Sequence, residues 1–288
     1  MTIRTPPGWG WDQLTDAMHS IGSASPEEYW HTAAERSTAP IVRRLGLADL
    51  AGALASGLED FKANRTDVIF VCVIYPIVGL LLGRLASGYG LVPMLFPLAS
   101  GFALVGPLAA VGLNEMSRRR EQGEAISWVD AFGMLRAPSI GSIALLGLLL
   151  VAVFLLWLVA AQVIYVMTLG PAAPASAVAF ARDVLGTEAG WALIVIGVGV
   201  GFLFAVLVLA ISVVSFPLLL DRNAGIDTAI WASARVVAMN PGVMAVWGAI
   251  VVALLVLGSL PALVGLVIVL PVLGHATWHL YRKLVAAH

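Results

Sequence analysis

Few side chains in this sequence have the type and spacing to do chemistry, and His275 and His279 are the sharpest pair. A separation of four residues puts both imidazoles on one helical face, as one edge of a metal or haem site requires. Both fall in the apolar stretch 263–281, and an ionisable group inside a membrane is costly enough to raise a functional hypothesis by default. Two histidines are an incomplete ligand set, so Glu115, Asp221 or similar groups would have to supply the rest. The other readings are a proton or substrate contact, or a structural role. In the last, each histidine hydrogen-bonds a neighbouring helix or sits at the interface beside Trp278. Glu115 reads either as a cation or proton site or as the partner of Arg118 or Arg119 one turn on. The cluster Arg118, Arg119 and Arg120 is suited to anionic lipid headgroups, each cation contributing about 1 kcal/mol. As a topogenic signal it needs no ligand at all, and that reading is preferred.

Other candidates dissolve on inspection. Gly197, Gly199 and Gly201 lack the preceding strand and following Lys of a phosphate loop, and read as helix packing, like Gly79 with Gly83. Gln162 is expected to hydrogen-bond a neighbouring helix. No nucleophile–base pair, carboxylate pair or nucleic-acid footprint is present, so no catalytic residue and no enzyme activity is expected. The single cysteine, Cys72, excludes an intramolecular disulfide and a cysteine-rich metal site. No cofactor is assigned.

The elements that must position these residues are apolar helices. The chain is 60% hydrophobic and 11% charged, with a mean hydropathy of +0.95, and a soluble domain carries about twice that charge. Apolar runs at about 68–85, 91–113, 140–169, 191–220, 243–260 and 263–281 match the roughly twenty residues that cross a bilayer. Without water, backbone groups there demand helices, and strict alternation is missing. The expectation is an all-α polytopic membrane protein with six transmembrane helices. With both ends in the cytoplasm, fourteen of the 16 Lys and Arg residues lie inside, leaving Arg84 and Arg182 outside.

The runs pair into three parallel hairpin repeats. Each is preceded by an interfacial amphipathic helix, at about 47–62, 127–136 and 227–239. The first carries an apolar stripe of Leu47, Leu50, Leu54, Leu58 and Phe61. The second opens on a Ser127–Asp130 capping box, and Arg136 and Pro138 close it. Residues 1–45 read as a cytoplasmic tail with Trp9, Trp11, Tyr29 and Trp30, a short helix from Ser25, and no cleavable signal peptide; 46–285 is the membrane domain.

Residues 96–108 read FPLASGFALVGPL, continuing to Glu115 and Arg118–Arg120, and residues 271–282 read PVLGHATWHLYR. These stretches resemble the bacterial integral membrane family called domain of unknown function 2189, over about residues 41–285. The resemblance implies six spans in the bacterial cytoplasmic membrane and no assigned activity. Some members bear names suggesting a cytochrome oxidase subunit, but a haem-copper core needs six histidine ligands and only two histidines here lie in a span.

The leading expectation is a non-enzymatic accessory or scaffold protein of the cytoplasmic membrane. Its partners would be the bilayer and other membrane proteins, met through the cytoplasmic face and tail, with no nucleic acid. The alternatives are a channel or transporter for a small solute, and a haem- or metal-binding accessory protein of a respiratory complex.

Overall fold

A computed structural model of the chain divides it into two units, Met1–Ala39 and Pro40–His288. It describes residues 40–64, 77, 79–81, 83–84, 91–222 and 224–285. The tail up to residue 39, with its four aromatics and Ser25 cap, lies outside the described residues. So does Cys72 and most of the first expected span; the described positions within it are helical.

The described residues are helical apart from one isolated bridge between Val42 and Val285. In chain order the α-helices are α1 Leu47–Ala63, α2 Leu95–Ala109, α3 Val111–Glu121, α4 Ile140–Leu169 and α5 Ala177–Gly186. There follow α6 Glu188–Ser212, α7 Ser215–Asp221, α8 Ile226–Met239, α9 Pro241–Ser259 and α10 Leu266–Leu284. Among the described residues, four segments are long and apolar enough to cross a membrane: Val92–Glu121, Ile140–Leu169, Glu188–Asp221 and Pro241–Ser259. α10 is formed but is not among them. Its second half carries His275, His279, Arg282 and Lys283, and lies buried against other helices.

α4 shows why these helices belong in a bilayer. It buries one stripe, Ile143, Leu146, Leu150, Val153, Trp157, Ala161 and Tyr165. Its opposite face is equally apolar yet exposed, with Leu145, Leu148, Leu155, Leu156, Val159 and Val163. A helix hydrophobic all round is stable only where its outer face also meets an apolar solvent. Trp157 Nε1 donates to the Pro97 carbonyl at 3.0 Å, fastening α4 to α2. Gln162, expected to reach a neighbouring helix, instead lies on the exposed face. Of the glycine triplet, only Gly201 packs on a neighbour, the Trp157 ring; Gly197 and Gly199 face open space.

The second span is longer than the expected 91–113, running on as α3 past a break at Ala110, just beyond Pro107. Pro217 lies early in α7, after the turn at Val213–Val214 that ends α6. α5 was not expected: Ser176 caps it, accepting from the Ala179 N–H at 3.0 Å. Between α9 and α10 the chain turns tightly through Ala262 and Leu263, at φ 50° and 67°. Gly258 and Gly265 allow it, since a Cβ on Gly265 would lie 2.7 Å from the Gly258 carbonyl oxygen.

Of the three amphipathic segments, the first and third are the α-helices α1 and α8. The second is a 3-10 helix, Trp128–Arg136, not an α-helix, though its Ser127–Asp130 capping box is present. It connects α3 to α4, and at nine residues it is long for a 3-10 run. The first is not simply laid flat. α1 packs lengthwise on α10, burying Leu50, Ala53, Gly57 and Asp60. That stripe is rotated from the expected one, which leaves Leu47 60% exposed and Leu58 also exposed. Small residues win the contact because they let the backbones touch: a Cβ on Gly57 would lie 2.6 Å from the Ala276 nitrogen.

Candidate functional site: a buried polar cluster at the charged end of the bundle

The close α1–α10 crossing carries Asp60, one turn after Gly57, into contact with α3 and α10. Its Oδ2 accepts from Ser117 Oγ at 2.6 Å and from His279 Nε2 at 2.9 Å. Its Oδ1 lies 3.2 Å from Arg120 Nη1. Ser117 Oγ also meets His275 Nδ1 at 2.7 Å. Burial pushes the Asp60 carboxyl up, but hydrogen bonds from His279 and Ser117 outweigh it and hold the group below the usual carboxylate range. Asp60 is therefore an acceptor only.

Proton positions follow. Ser117 has one hydroxyl proton, and it goes to the carboxylate. His275 must then donate its Nδ1–H to Ser117, leaving Nε2 as a bare lone pair. His275 is 1% exposed, and among the described residues its Nε2 has no hydrogen-bond partner. Both polar atoms of the Asn114 side chain, one turn before Ser117, are likewise buried with no partner among the described residues. The order Asp–Ser–His is the wrong one for nucleophilic catalysis. A serine is activated when an imidazole accepts its proton and a carboxylate orients that imidazole; here the imidazole donates to the serine.

A second cluster surrounds Glu115, which is 1% exposed. Its oxygens accept from Arg118 Nε at 2.8 Å and Nη2 at 2.9 Å, and from Arg119 Nε at 2.7 Å. Arg119 continues to Asp130 at 2.8 Å, and Asp130 accepts from the Ser127 N–H at 2.8 Å. The Asp130 carboxylate thus caps the 3-10 helix and, through Arg119, ties it to Glu115 on α3. Arg120 turns the other way, to Asp60 and to the Glu59 carbonyl at 3.1 Å. The three arginines, for which lipid headgroups were one reading, are paired within the protein.

On α10, Trp278 Nε1 donates to Glu121 at 3.0 Å and Arg282 to the same carboxylate at 3.1 Å. Tyr281 donates to Asp221 at 2.6 Å. The first and last described segments meet here too. The Arg43 N–H donates to the Leu284 carbonyl at 2.8 Å, and Asn240 Oδ1 accepts from the Leu45 N–H at 2.9 Å.

His275 and His279 do belong to one site, but they do not converge as ligands: one faces Ser117, the other Asp60. Among the described residues no group of three or more His, Cys, Asp or Glu has the geometry to hold a metal ion. Asp221 lies apart from the histidines, on Tyr281. Sequence reasoning missed Asp60, Ser117 and Glu121. The signal for Asp60 was its place on the small-residue stripe Leu50, Ala53 and Gly57; for Ser117 and Glu121 there was none beyond proximity to Glu115.

Among known proteins, the model of a family described as a predicted integral membrane protein, domain of unknown function 2189, matches residues 95–221. The chain is similar to that family over α2 to α7. The match is narrower than the expected 41–285 and does not reach the 271–282 stretch. No curated protein and no solved structure matches the chain.

Proposed function

We propose, taking the likeness of residues 95–221 to an integral membrane family as the premise, that this chain is a non-enzymatic accessory or scaffold protein. In this reading it sits in the bacterial cytoplasmic membrane with six spans in three parallel hairpins and both ends in the cytoplasm. Residues 68–85 and α10 are the first and sixth spans. The polar cluster then lies at the cytoplasmic face, and its work is to lock α1, α3, α7 and α10 into one rigid surface for other membrane proteins.

The observation that carries this reading is the order Asp60–Ser117–His275: among the described residues, the one buried hydroxyl touching an imidazole gives its proton away from it. Four hydroxyls on the proposed spans are similarly spent. Thr168, Ser212, Ser259 and Thr277 each donate to the carbonyl four residues back in their own helix. That pattern supports a packed bundle over a solute path.

The test is purification of the full chain in mild detergent after cross-linking in membranes, from cells carrying the intact chain or one lacking residues 1–39. A discrete complex whose membership depends on the tail or on Asp60 is the expected result. A chain that runs alone in both forms refutes the scaffold role.

A further inference from the structure

The charged end of the bundle is not neutral once its ion pairs are drawn. Arg43, Arg44, Lys62, Arg136 and Arg235 have no carboxylate partner among the described residues, against Glu59 and Asp227 on the acidic side. One of these cations stands on a shallow, open face of α8. Trp231, Ala234, Arg235, Ala238 and Met239, all on α8, line an open hollow of about 460 Å³. The Arg235 guanidinium lies over the Trp231 ring, 4.8 Å from its centroid. Trp231 is 46% exposed.

We propose that this hollow binds the phosphate headgroup of an anionic phospholipid. Stacking on the indole holds the guanidinium flat and leaves its edge N–H groups outward, in the fork that matches two phosphate oxygens. Ala234 and Ala238 leave room beside it for the glycerol and the head of an acyl chain, and Met239 is an adaptable apolar wall. The depth is right as well. Asn240 alone separates α8 from Pro241–Ser259, one of the apolar segments able to cross a membrane, so the Met239 end of the hollow opens at the membrane boundary. Tryptophan favours that depth. An apolar lining continuous with a span selects a lipid over a dissolved phosphate. The proposal reassigns lipid contact from Arg118–Arg120, whose charges are consumed internally, and stands whether or not the chain is a scaffold.

The experiment is titration of the purified full chain in mild detergent with phosphatidylglycerol or phosphatidylcholine, reading bound lipid by native mass spectrometry. The intact chain is expected to prefer phosphatidylglycerol. Arg235→Gln should weaken that binding about fivefold, the equivalent of about 1 kcal/mol for one interfacial cation. Arg235→Lys should recover part of the loss, because charge returns without the fork. Arg43→Gln, which removes an unpaired cation outside the hollow, should change it less than about twofold. Equal losses in Arg43→Gln and Arg235→Gln would mean diffuse charge attraction and overturn the site. Displacement of the lipid by millimolar inorganic phosphate would overturn the lipid as its occupant. Because Arg235 is exposed, all three variants should keep the thermal midpoint of the intact chain; a variant that does not is replaced by Trp231→Leu, which should also weaken the preference.

Discussion

Gly57→Ala puts a single methyl group where α1 and α10 touch, and its consequence reaches the polar cluster. The added Cβ would lie 2.6 Å from the Ala276 nitrogen and 2.8 Å from its Cα and Cβ. Backbone atoms cannot swing aside, so restoring an ordinary contact near 3.5 Å requires the helices to part by about 0.9 Å. Asp60 sits one turn further along the same face. Its 2.6 and 2.9 Å hydrogen bonds to Ser117 and His279 would stretch to about 3.5 Å or beyond, where they cease to count. Hydrogen bonds to a charged group are each worth about 1.5–3 kcal/mol, and overpacking costs about 1–3 kcal/mol. Against that, alanine gains about 0.5–1 kcal/mol over glycine inside a helix. With both bonds lost, the net loss is about 3–8 kcal/mol, a fall in thermal midpoint of at least about 6 °C for the full chain in mild detergent. Gly197→Ala is the control. It has the same chemistry in a helix where a Cβ meets nothing within 4 Å, and should be neutral or slightly stabilising. Equal midpoints for Gly57→Ala and the intact chain would refute the claim that this crossing holds the cluster together.

Three further outcomes are expected. Because Asp60 is held below the ordinary carboxylate range, its contribution is complete above a pH of about 4 and is lost as the pH falls through its lowered value. Asp60→Asn should lower the neutral-pH midpoint and flatten that acid limb, measured as midpoint against pH; an unchanged limb would assign it to another group. Glu115→Ala strands Arg118 and Arg119 beside a vacated pocket. Both arginines are about a quarter exposed, so the loss should be held to about 2 kcal/mol, read by thermal melting. Asn240→Ala removes the side chain that bonds the Leu45 N–H and the Arg43 carbonyl. It should raise hydrogen exchange at residues 43–46 with little change in α4, at a cost of about 1–3 kcal/mol.

The apolar runs settled the class of this protein without help, because a segment such as 140–169 with no charged residue has only one solvent and only one backbone solution in it. Local chemistry was equally legible: the Ser127–Asp130 box and the pairing of Glu115 with the next turn depend on three- and four-residue spacings that any helix imposes. What lay beyond reach was decided across long separations. Asp60, Ser117 and His275 are 57 and 158 residues apart along the chain, and no periodicity links them. The amphipathic stripe of α1 pointed to its greasy edge, yet the face that packed was the one with the least side chain. Where α1 and α10 cross, close backbone approach outweighs apolar side-chain area, because Gly57 lets the two backbones come into direct van der Waals contact. The sequence alone therefore determined the solvent and the helices. Only the tertiary structure decided which polar groups found each other, which arginines were consumed, and that Arg235 was left facing outward.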